Sequence, residues 1–332
     1  MTYSPLAAIA NHPNVISKVL QDEISTKNVF IWWLMGKPVD TGAGLKPTAK
    51  RFFKEQEGGS RFEVLLMLNT NSNIKSYEKD ATFSMNVNDI GDRAYYDIKS
   101  VGGPTPIYGF DEDVSMNSKT NVINIVKAYL DQAAIGVENK LQAMLMAAPG
   151  TARTEDFESL LDQIAEDPTD DTIGEIASAT YSNWRNQYYD ASSDSLATYL
   201  KTRIDTYKIN ATFGVKGPKL MVMTPTIYGT LQGQLTALQR YVPDTELVKA
   251  GFTGMQYDGM SCVFDGTIQA GSILGINPEA FEYGVLKGCN MKHLPPVRVP
   301  NADLKAGFIK HRGNVICKDR RTNFCLFNFV TD

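Results

Sequence analysis

Residues 220–283 decide the fold. They begin with LMVMTPTIYGTLQGQLTALQRY (220–241), continue with GFTGMQYDGMSCVFDG (251–266) and end with SILGINPEAFEY (272–283). A short apolar strand ends in Thr-Pro and is followed by a predicted helix that finishes near Arg240-Tyr241. A second apolar strand ends at Asp265-Gly266, and a third leads into Asn277-Pro278. This alternation of short apolar strands with a helix predicts a mixed sheet with helical packing.

The composition indicates an ordinary globular protein. The chain has 332 residues, of which 43% are hydrophobic and 21% are charged, so it can bury a substantial core and has the length of about two domains. Its first residues, MTYSPLAAIANHP, lack the basic segment and the long apolar core of a signal peptide. The longest apolar runs, such as 30–35 and 64–68, are far too short to span a bilayer. We therefore expect a soluble protein that is made in a cytoplasm and has no membrane partner.

No motif predicts catalysis or ligand binding. The three histidines, at positions 12, 293 and 311, have no nucleophile motif beside them, and the four cysteines show no CxxC pairing. The segment GAGLK (42–46) lacks the full frame of a phosphate-binding loop. The segment DEDVSMN (111–117) lacks the glycine and the later glutamate of a calcium-binding loop. We predict no catalytic, cofactor-binding or metal-binding residues, and we expect the cysteines to be buried thiols.

The first quarter of the chain is predicted to form an extended arm and a hairpin. Residues 1–55 are broken by Gly and Pro, yet they carry many aromatic side chains, which would cover either their own domain or a neighbouring subunit. Residues 61–68 and 81–87 are predicted as two strands around the polar segment 69–80. Such a hairpin would project by roughly 23 Å. Because a lone hairpin is marginally stable in water, it would be stabilised best by resting on another chain.

A long helix is predicted for residues 118–148, where Pro149-Gly150 ends it. At about 1.5 Å per residue it would extend over about 45 Å, which suits a spine. Its apolar positions recur at three- and four-residue spacing: Val122, Val126, Tyr129, Ala133, Val137, Leu141, Met144 and Ala148.

The rest of the chain divides into a helical and a β-rich part. Residues 151–215 are expected to be mostly helical and polar, with an amphipathic helix at 196–207. The tail, 286–330, is expected to be all-β. In this tail Pro295-Pro296 is predicted to interrupt the strands, and residues 312–314 are predicted to form a tight turn.

The order of these segments resembles the major capsid proteins of tailed double-stranded DNA bacteriophages, which share the Hong Kong 97-type capsid fold. The likeness rests on the strand after Gly58-Gly59, the polar loop before ATFSMNV (81–87) and the long helix. It also rests on TYSNWRNQYY (180–189), the strand and helix around Thr224-Pro225, and GFTGMQYDGM (251–260). The resemblance implies an α+β fold and a structural protein rather than an enzyme.

The resemblance also implies a division of the chain. It predicts an N-terminal arm at 1–55, the E-loop hairpin with flanking strands at 56–110, the P-domain at 111–175 with its spine helix at 118–148, the A-domain at 176–285, and P-domain return strands at 286–332.

Candidate contacts between subunits come from aromatic and cationic side chains, the types that most often anchor interfaces. The predicted contacts are Trp32, Trp33, Lys75, Tyr77, Lys79, Phe83, Trp184, Arg185, Arg240, Lys310 and Arg312.

The main partner implied by the resemblance is the chain itself, as hexamers and pentamers of an icosahedral head that encloses DNA. The location implied is a virion assembled in the host bacterial cytoplasm. Because the chain begins with its arm, we expect a separate scaffolding protein and a portal, with a decoration protein as a further candidate. Nothing marks Lys75 or Lys79 as reactive, so we expect non-covalent maturation. The net charge of -4 and the isoelectric point near 5.5 predict only non-specific contact with DNA.

Two alternatives stay open. An encapsulin-type bacterial compartment shares the implied fold, although the NWRNQYY (183–189) and Gly-Phe-x-x-Met-x-Tyr (251–257) segments favour a phage protein. A soluble two-domain hydrolase with a cryptic site would instead form a small oligomer, with a pocket that holds one of the three histidines.

Overall fold

The computed structural model describes residues 53–79, 82–83, 86, 89–109, 125–150, 153–236, 255–266, 268–300 and 302–330. Within these residues the strands are β1 Phe53–Gln56, β2 Arg61–Met67, β3 Gly91–Asp97, β4 Lys99–Tyr108, β5 Thr172–Ile173, β6 Ile176–Ala177, β7 Gln187–Asp190, β8 Leu220–Met223, β9 Met255–Tyr257, β10 Met260–Phe264, β11 Ile273–Ile276, β12 Phe281–Leu286, β13 Lys292–Arg298, β14 Leu304–Cys317 and β15 Phe324–Phe327. The α-helices are α1 Ile125–Leu145, α2 Leu160–Gln163, α3 Leu196–Asn210 and α4 Pro225–Thr236. None of the helices in this described part is long and apolar enough to cross a membrane.

The stretch quoted first forms the centre of a six-stranded mixed sheet with the order β7-β15-β11-β8-β10-β9. Strand β8 pairs in parallel with β10 and antiparallel with β11. Every residue of β8 and β11 is buried, which explains why both read as continuous apolar runs rather than as alternating patterns. The predicted strand, helix and strand order is therefore confirmed.

This sheet separates two hydrophobic cores. Leu220 and Val222 belong to one core, and Met221 and Met223 to the other, because successive side chains of a strand point to opposite faces. Helices α3 and α4 contribute apolar side chains to the second core. The helix predicted at 196–207 is confirmed and extends to Asn210. Helix α4 begins at Pro225, where the missing N–H costs nothing; the end predicted near Arg240-Tyr241 lies outside the described residues.

A second, five-stranded sheet is built around the long strand β14. Strands β1, β12, β14 and β13 follow one another, and β4 pairs with β14 along residues 304–313. The tight turn predicted at 312–314 is wrong, because these residues lie inside β14, where Arg312 pairs with β4 and the next two residues pair with β12. Glycine is needed at 313 for close approach of the strands: a Cβ there would lie 2.5 Å from the carbonyl oxygen of Gly284.

Strand β13 continues through Pro295-Pro296 instead of breaking there. The two prolines cause a register shift between Leu294 and Val297 relative to β14. The register shift is tolerated because β13 is the last strand in the order of its sheet. Proline has no N–H to donate and is therefore accommodated at sheet edges and bulges. The predicted all-β character of the tail is otherwise confirmed by β13, β14 and β15.

The hairpin has a different second strand from the one predicted. Strand β2 pairs antiparallel with β3, residues 91–97, and not with residues 81–87. Thr82, Phe83 and Asn86 are not in a strand, and the rest of 81–87 lies outside the described residues. The observed register places Ala94 and Tyr96 beside Phe62 in the core, and burial of these side chains selects the pairing.

The predicted spine helix is observed as α1 over residues 125–145, and residues 118–124 lie outside the described part. At 21 residues the described helix is about 31 Å long. Val137, Leu141 and Met144 of the predicted apolar stripe are buried in the first core. The helix packs against β4 and β14.

One further expectation is corrected. Residues 153–195 are not mostly helical: they contain the short α2, three short strands and irregular backbone. Near the predicted boundary at residue 285, β12 (281–286) lies in the five-stranded sheet, and the later strand β15 (324–327) lies in the six-stranded sheet; the division into domains stays a prediction. Of the predicted arm at 1–55, residues 1–52 lie outside the described residues.

Candidate assembly surfaces

The four cysteines and His311 are side chains with reactive chemistry, and all five are buried. All four cysteines are buried, as predicted, and burial raises the pKa of Cys262 and of Cys317 to about 12, so these thiols are unreactive. His311 is buried and hydrogen-bonded to the Tyr283 hydroxyl at 2.6 Å. Among the described residues there is no group of three or more His, Cys, Asp or Glu side chains able to hold a metal ion.

The hairpin formed by β2, β3 and the connecting residues 68–90 carries an unusual apolar surface; we call residues 68–90 the hairpin loop. Six apolar side chains of the hairpin loop and of the adjoining end of β2 are exposed to an extent that is uncommon for such residues. Their exposed fractions are 79% for Leu65, 80% for Met67, 80% for Ile74, 69% for Tyr77, 45% for Phe83 and 67% for Ile90. Several large apolar side chains exposed on one element indicate a protein interaction site.

Three predicted contact residues meet within the hairpin loop. The rings of Tyr77 and Phe83 are in edge-to-face contact, with centroids 5.0 Å apart. The Lys75 ammonium lies 5.6 Å from the Phe83 ring centroid and donates a hydrogen bond to the Thr82 carbonyl. Lys79 is exposed nearby in the sequence. These three side chains therefore contact one another, although Tyr77 and Phe83 stay exposed outside the core.

The base of the hairpin is fixed firmly to the rest of the chain. Arg61 bonds to both Asp97 and Glu175 at 2.8 Å. The side-chain amide of Asn183 donates to the carbonyl of Leu68, and the Tyr96 hydroxyl donates to the carbonyl of Cys317. A fixed base and an exposed apolar tip are the arrangement expected of an element that reaches another chain.

The other predicted contacts are distributed differently. Trp184 is wrong as a contact, because its side chain is 2% exposed and its indole N–H donates to the Ile173 carbonyl in the core. Arg185 is half-buried and donates to the Ser178 carbonyl. Lys310 is half-buried and Arg312 is exposed, both on β14 and so in a different sheet from the hairpin. Trp32, Trp33 and Arg240 lie outside the described residues.

Sequence reasoning missed the apolar residues Leu65, Met67, Ile74 and Ile90. A signal for two of them was present in RFEVLLM (61–67), which has apolar residues on both faces of one strand. Phe62 and Leu66 fill the core, whereas Leu65 and Met67 point outward. They line a groove of about 240 Å³ together with Asn183, Trp184 and charged residues of the 318–321 turn.

Arg320 is the second residue that the sequence did not reveal. Its neighbours Lys318 and Arg321 are at least partly exposed, but its own side chain is fully buried. The guanidinium bonds to both carboxylate oxygens of Asp171, at 3.0 and 2.5 Å. It also donates to the carbonyls of Gln163 and Trp184. The hydrogen bonds of Arg320 hold together residues 163–186, which have little regular secondary structure.

A buried carboxyl lies close to Arg320. Burial, with a smaller contribution from the neighbouring Asp162, raises the pKa of Glu158 to about 7, against the partial opposing effect of Arg320. Its Oε2 atom is buried and has no hydrogen-bond partner among the described residues. The protonated form of Glu158 is therefore favoured in the folded chain.

The fold of the chain is similar to that of several solved structures. No described protein family and no curated protein sequence matches the chain. The fold is similar to that of the cyanophage A-1(L) capsid (TM-score 0.60, 11% identity, covering 84% of this chain and 90% of that one). It is also similar to the capsid of the native GTA particle (0.54, 10%, 97% and 99%). A third similar structure is the SrpI encapsulin of Synechococcus elongatus PCC 7942 (0.53, 12%, 94% and 96%).

The chain thus has the α+β, Hong Kong 97-type capsid fold that the sequence predicts. The similarity extends over most of its length in each of these comparisons. At such low identity the comparisons establish the fold, and the role of this chain has to be argued from its own surfaces.

Proposed function

We propose that this chain is a major capsid protein of a tailed bacteriophage, a structural protein that self-assembles as hexamers and pentamers into an icosahedral head enclosing double-stranded DNA. One observation carries the proposal: the hairpin exposes Leu65 and Met67 at the end of β2, and Ile74, Tyr77 and Ile90 in the hairpin loop, on a base that is bonded to the rest of the chain. Burying each of these side chains on a neighbour would contribute about 1.5–3 kcal/mol. Many moderate contacts of this kind add up in a closed symmetric shell.

The proposed roles of the segments follow the fold. The hairpin of β2, β3 and the hairpin loop acts as the E-loop, which lies over an adjacent subunit. Helix α1 and the β4–β14–β13 strands form the P-domain, and the six-stranded sheet with α3 and α4 forms the A-domain around the capsomer axes. Residues 1–55 act as the arm. In this proposal the chain needs no cofactor and catalyses no reaction.

The proposed partners are a separate scaffolding protein, a portal and a candidate decoration protein, within a virion assembled in the host bacterial cytoplasm. Packaged DNA is contacted only non-specifically, consistent with the net charge of -4. Maturation is non-covalent; ladders of purified shells that resist detergent on gels would contradict this.

Negative-stain electron microscopy and sedimentation of the purified chain, alone and with lysate from infected or co-expressing cells, test the proposal. We expect polyhedral shells, or rings of five and six subunits. A monodisperse monomer or dimer under every condition would contradict it and would favour the soluble-hydrolase alternative.

An encapsulin-type compartment is the second candidate, because the SrpI encapsulin is similar over 94% of this chain. The two candidates differ in what the shell contains. Purified shells that hold DNA, from a gene neighbourhood with terminase and portal, favour the phage capsid. Shells that hold a folded cargo enzyme favour the compartment.

A further inference from the structure

Strands β4, β14 and β13 present an apolar face that no described element covers. Alternate residues of these strands point away from α1: the register pairs Leu304 with Tyr108 and Leu294 with Phe308. Tyr108 and Val297 are 55% and 70% exposed, and Phe308 is 42% exposed. We call this surface the ribbon face; its apolar members are Pro104, Pro106, Tyr108, Leu294, Val297, Leu304, Ala306 and Phe308.

One end of the ribbon face carries three cations. Lys292 and Lys310 are direct cross-strand partners, and Arg312 follows two residues later on the same face of β14. Like charges placed directly opposite each other destabilise a sheet. None of the three forms an ion pair within the part of the chain that the structure describes. The charge pattern therefore calls for an anionic surface from outside the subunit.

The part of the chain that the structure describes contains a segment with the complementary charge. Residues 155–175 carry nine carboxylates, and no Lys, Arg or His occurs from 154 to 184. Several of these carboxylates are satisfied within the subunit, as in the pairs Asp156–Lys140 and Asp171–Arg320. Glu155 and Asp170 are exposed and have no cationic partner among the described residues. We call residues 155–171 the acidic segment.

The ribbon face and the beginning of the acidic segment lie on opposite sides of the β4–β14 pair. Asp156 bonds to Lys140 of α1, and Lys99 donates to the carbonyl of Thr154. These contacts hold the beginning of the acidic segment on the α1 side. The side chains of the ribbon face point the other way, so the beginning of the acidic segment cannot meet the ribbon face within one subunit.

We infer that the ribbon face of one subunit docks on the acidic segment of a second copy of this chain. The inference rests on the proposed function and adds to it the two surfaces through which neighbouring subunits contact each other. Two different surfaces that meet give a head-to-tail contact, which closes into rings when the rotation between copies permits. Complementary charge sets the register and the specificity of such a contact, and the apolar side chains supply the buried area.

A charge-exchange experiment tests the inference under conditions that give shells from the wild-type chain. One variant carries Lys292→Glu with Arg312→Glu, a second carries Glu155→Lys with Asp170→Lys, and a third combines all four substitutions. The matched control is Lys54→Glu with Lys216→Glu, which has the charge change of the first variant at exposed lysines outside the ribbon face. Asp167 is left unchanged because it accepts hydrogen bonds from Thr169. Light scattering and sedimentation give the protein concentration at which shells appear.

Each reversal should raise the concentration needed for assembly by about tenfold or more, and the combined variant should restore most of the loss. Circular dichroism of the unassembled variants checks folding; if a reversal does not fold, the Gln substitutions at the same positions replace it. Wild-type-like assembly of both reversals, or no recovery in the combined variant, would overturn the inference. An equal loss in the control would also overturn it. None of these results contradicts the proposed function. The proposed function is contradicted only if the wild-type chain makes no shells.

Discussion

The six-stranded sheet and the hairpin loop are opposites in how they use apolar residues. In the sheet, every side chain of β8 and β11 is buried by the chain's own two cores. In the hairpin loop, Ile74 and Tyr77 are largely exposed. The sheet therefore stabilises the folded subunit, whereas the loop contributes its hydrophobic free energy only when a second chain covers it. Substitutions in the two regions should separate folding from assembly.

The largest effect on folding is expected at Arg320, whose buried guanidinium bonds to Gln163, Asp171 and Trp184. Arg320→Met leaves the Asp171 carboxylate without its cation and should lower the free energy of unfolding by about 3–5 kcal/mol. Urea denaturation of the unassembled chain measures the change. The control is Arg321→Met, because Arg321 is partly exposed and stacks on Phe213; it should cost less than about 1 kcal/mol. Equal effects from both substitutions would contradict the assigned role of Arg320.

Truncation within the sheet should come next. Leu274 in β11 is fully buried, so Leu274→Ala should cost about 2–5 kcal/mol through lost burial and the cavity left behind. The same denaturation experiment measures it. A cost below about 1 kcal/mol would mean that the sheet is not the rigid centre of the subunit.

Protonation of Glu158 should have a smaller effect, with a defined sign. Because the pKa of Glu158 is raised to about 7 in the folded chain, its contribution to stability is fully present below its ordinary pKa of about 4.5 and is lost as the pH rises through 7. Glu158→Gln should remove this component. The difference in unfolding free energy between variant and wild type, measured from pH 4.5 to 8, should therefore grow in favour of the variant as the pH rises. A difference that does not change with pH would contradict the prediction.

The smallest effect on folding is expected in the hairpin loop. Ile74→Ala with Tyr77→Ala should change the unfolding free energy of the unassembled chain by less than about 0.5 kcal/mol, since both side chains are exposed. The same variant should assemble poorly, because these side chains are the ones a neighbour would cover. A loss of several kcal/mol on unfolding would show that the loop belongs to the core of its own subunit.

The sequence predicted the central region well because local signals there agree with tertiary packing. The apolar runs of β8, β10 and β11, the Thr-Pro start of α4 and the Asn277-Pro278 stop each have a local physical meaning. The partner of β2 was predicted wrongly because residues 81–87 alternate like a strand. The true register depends on the burial of Ala94 and Tyr96, which is a long-range effect.

The candidate contacts show the same limit. Lys75, Tyr77 and Phe83 contact one another within one loop, and their role as contacts between subunits stays a prediction. In contrast, nothing in the adjacent pair Arg320-Arg321 tells which one is buried. That difference depends on Asp171, which is distant in sequence. Trp184 was predicted as a contact from its residue type alone, and only the tertiary structure places it in the core.

The most direct test of the account is deletion of residues 69–80, the polar part of the hairpin loop, followed by sedimentation and electron microscopy beside the wild-type chain. We expect a folded subunit with the wild-type circular dichroism spectrum that makes no stable shells, because the sheet and its cores remain while most of the hairpin loop is gone. Normal shells from the deletion variant would contradict the account, since the exposed apolar loop would then not be what joins one subunit to the next.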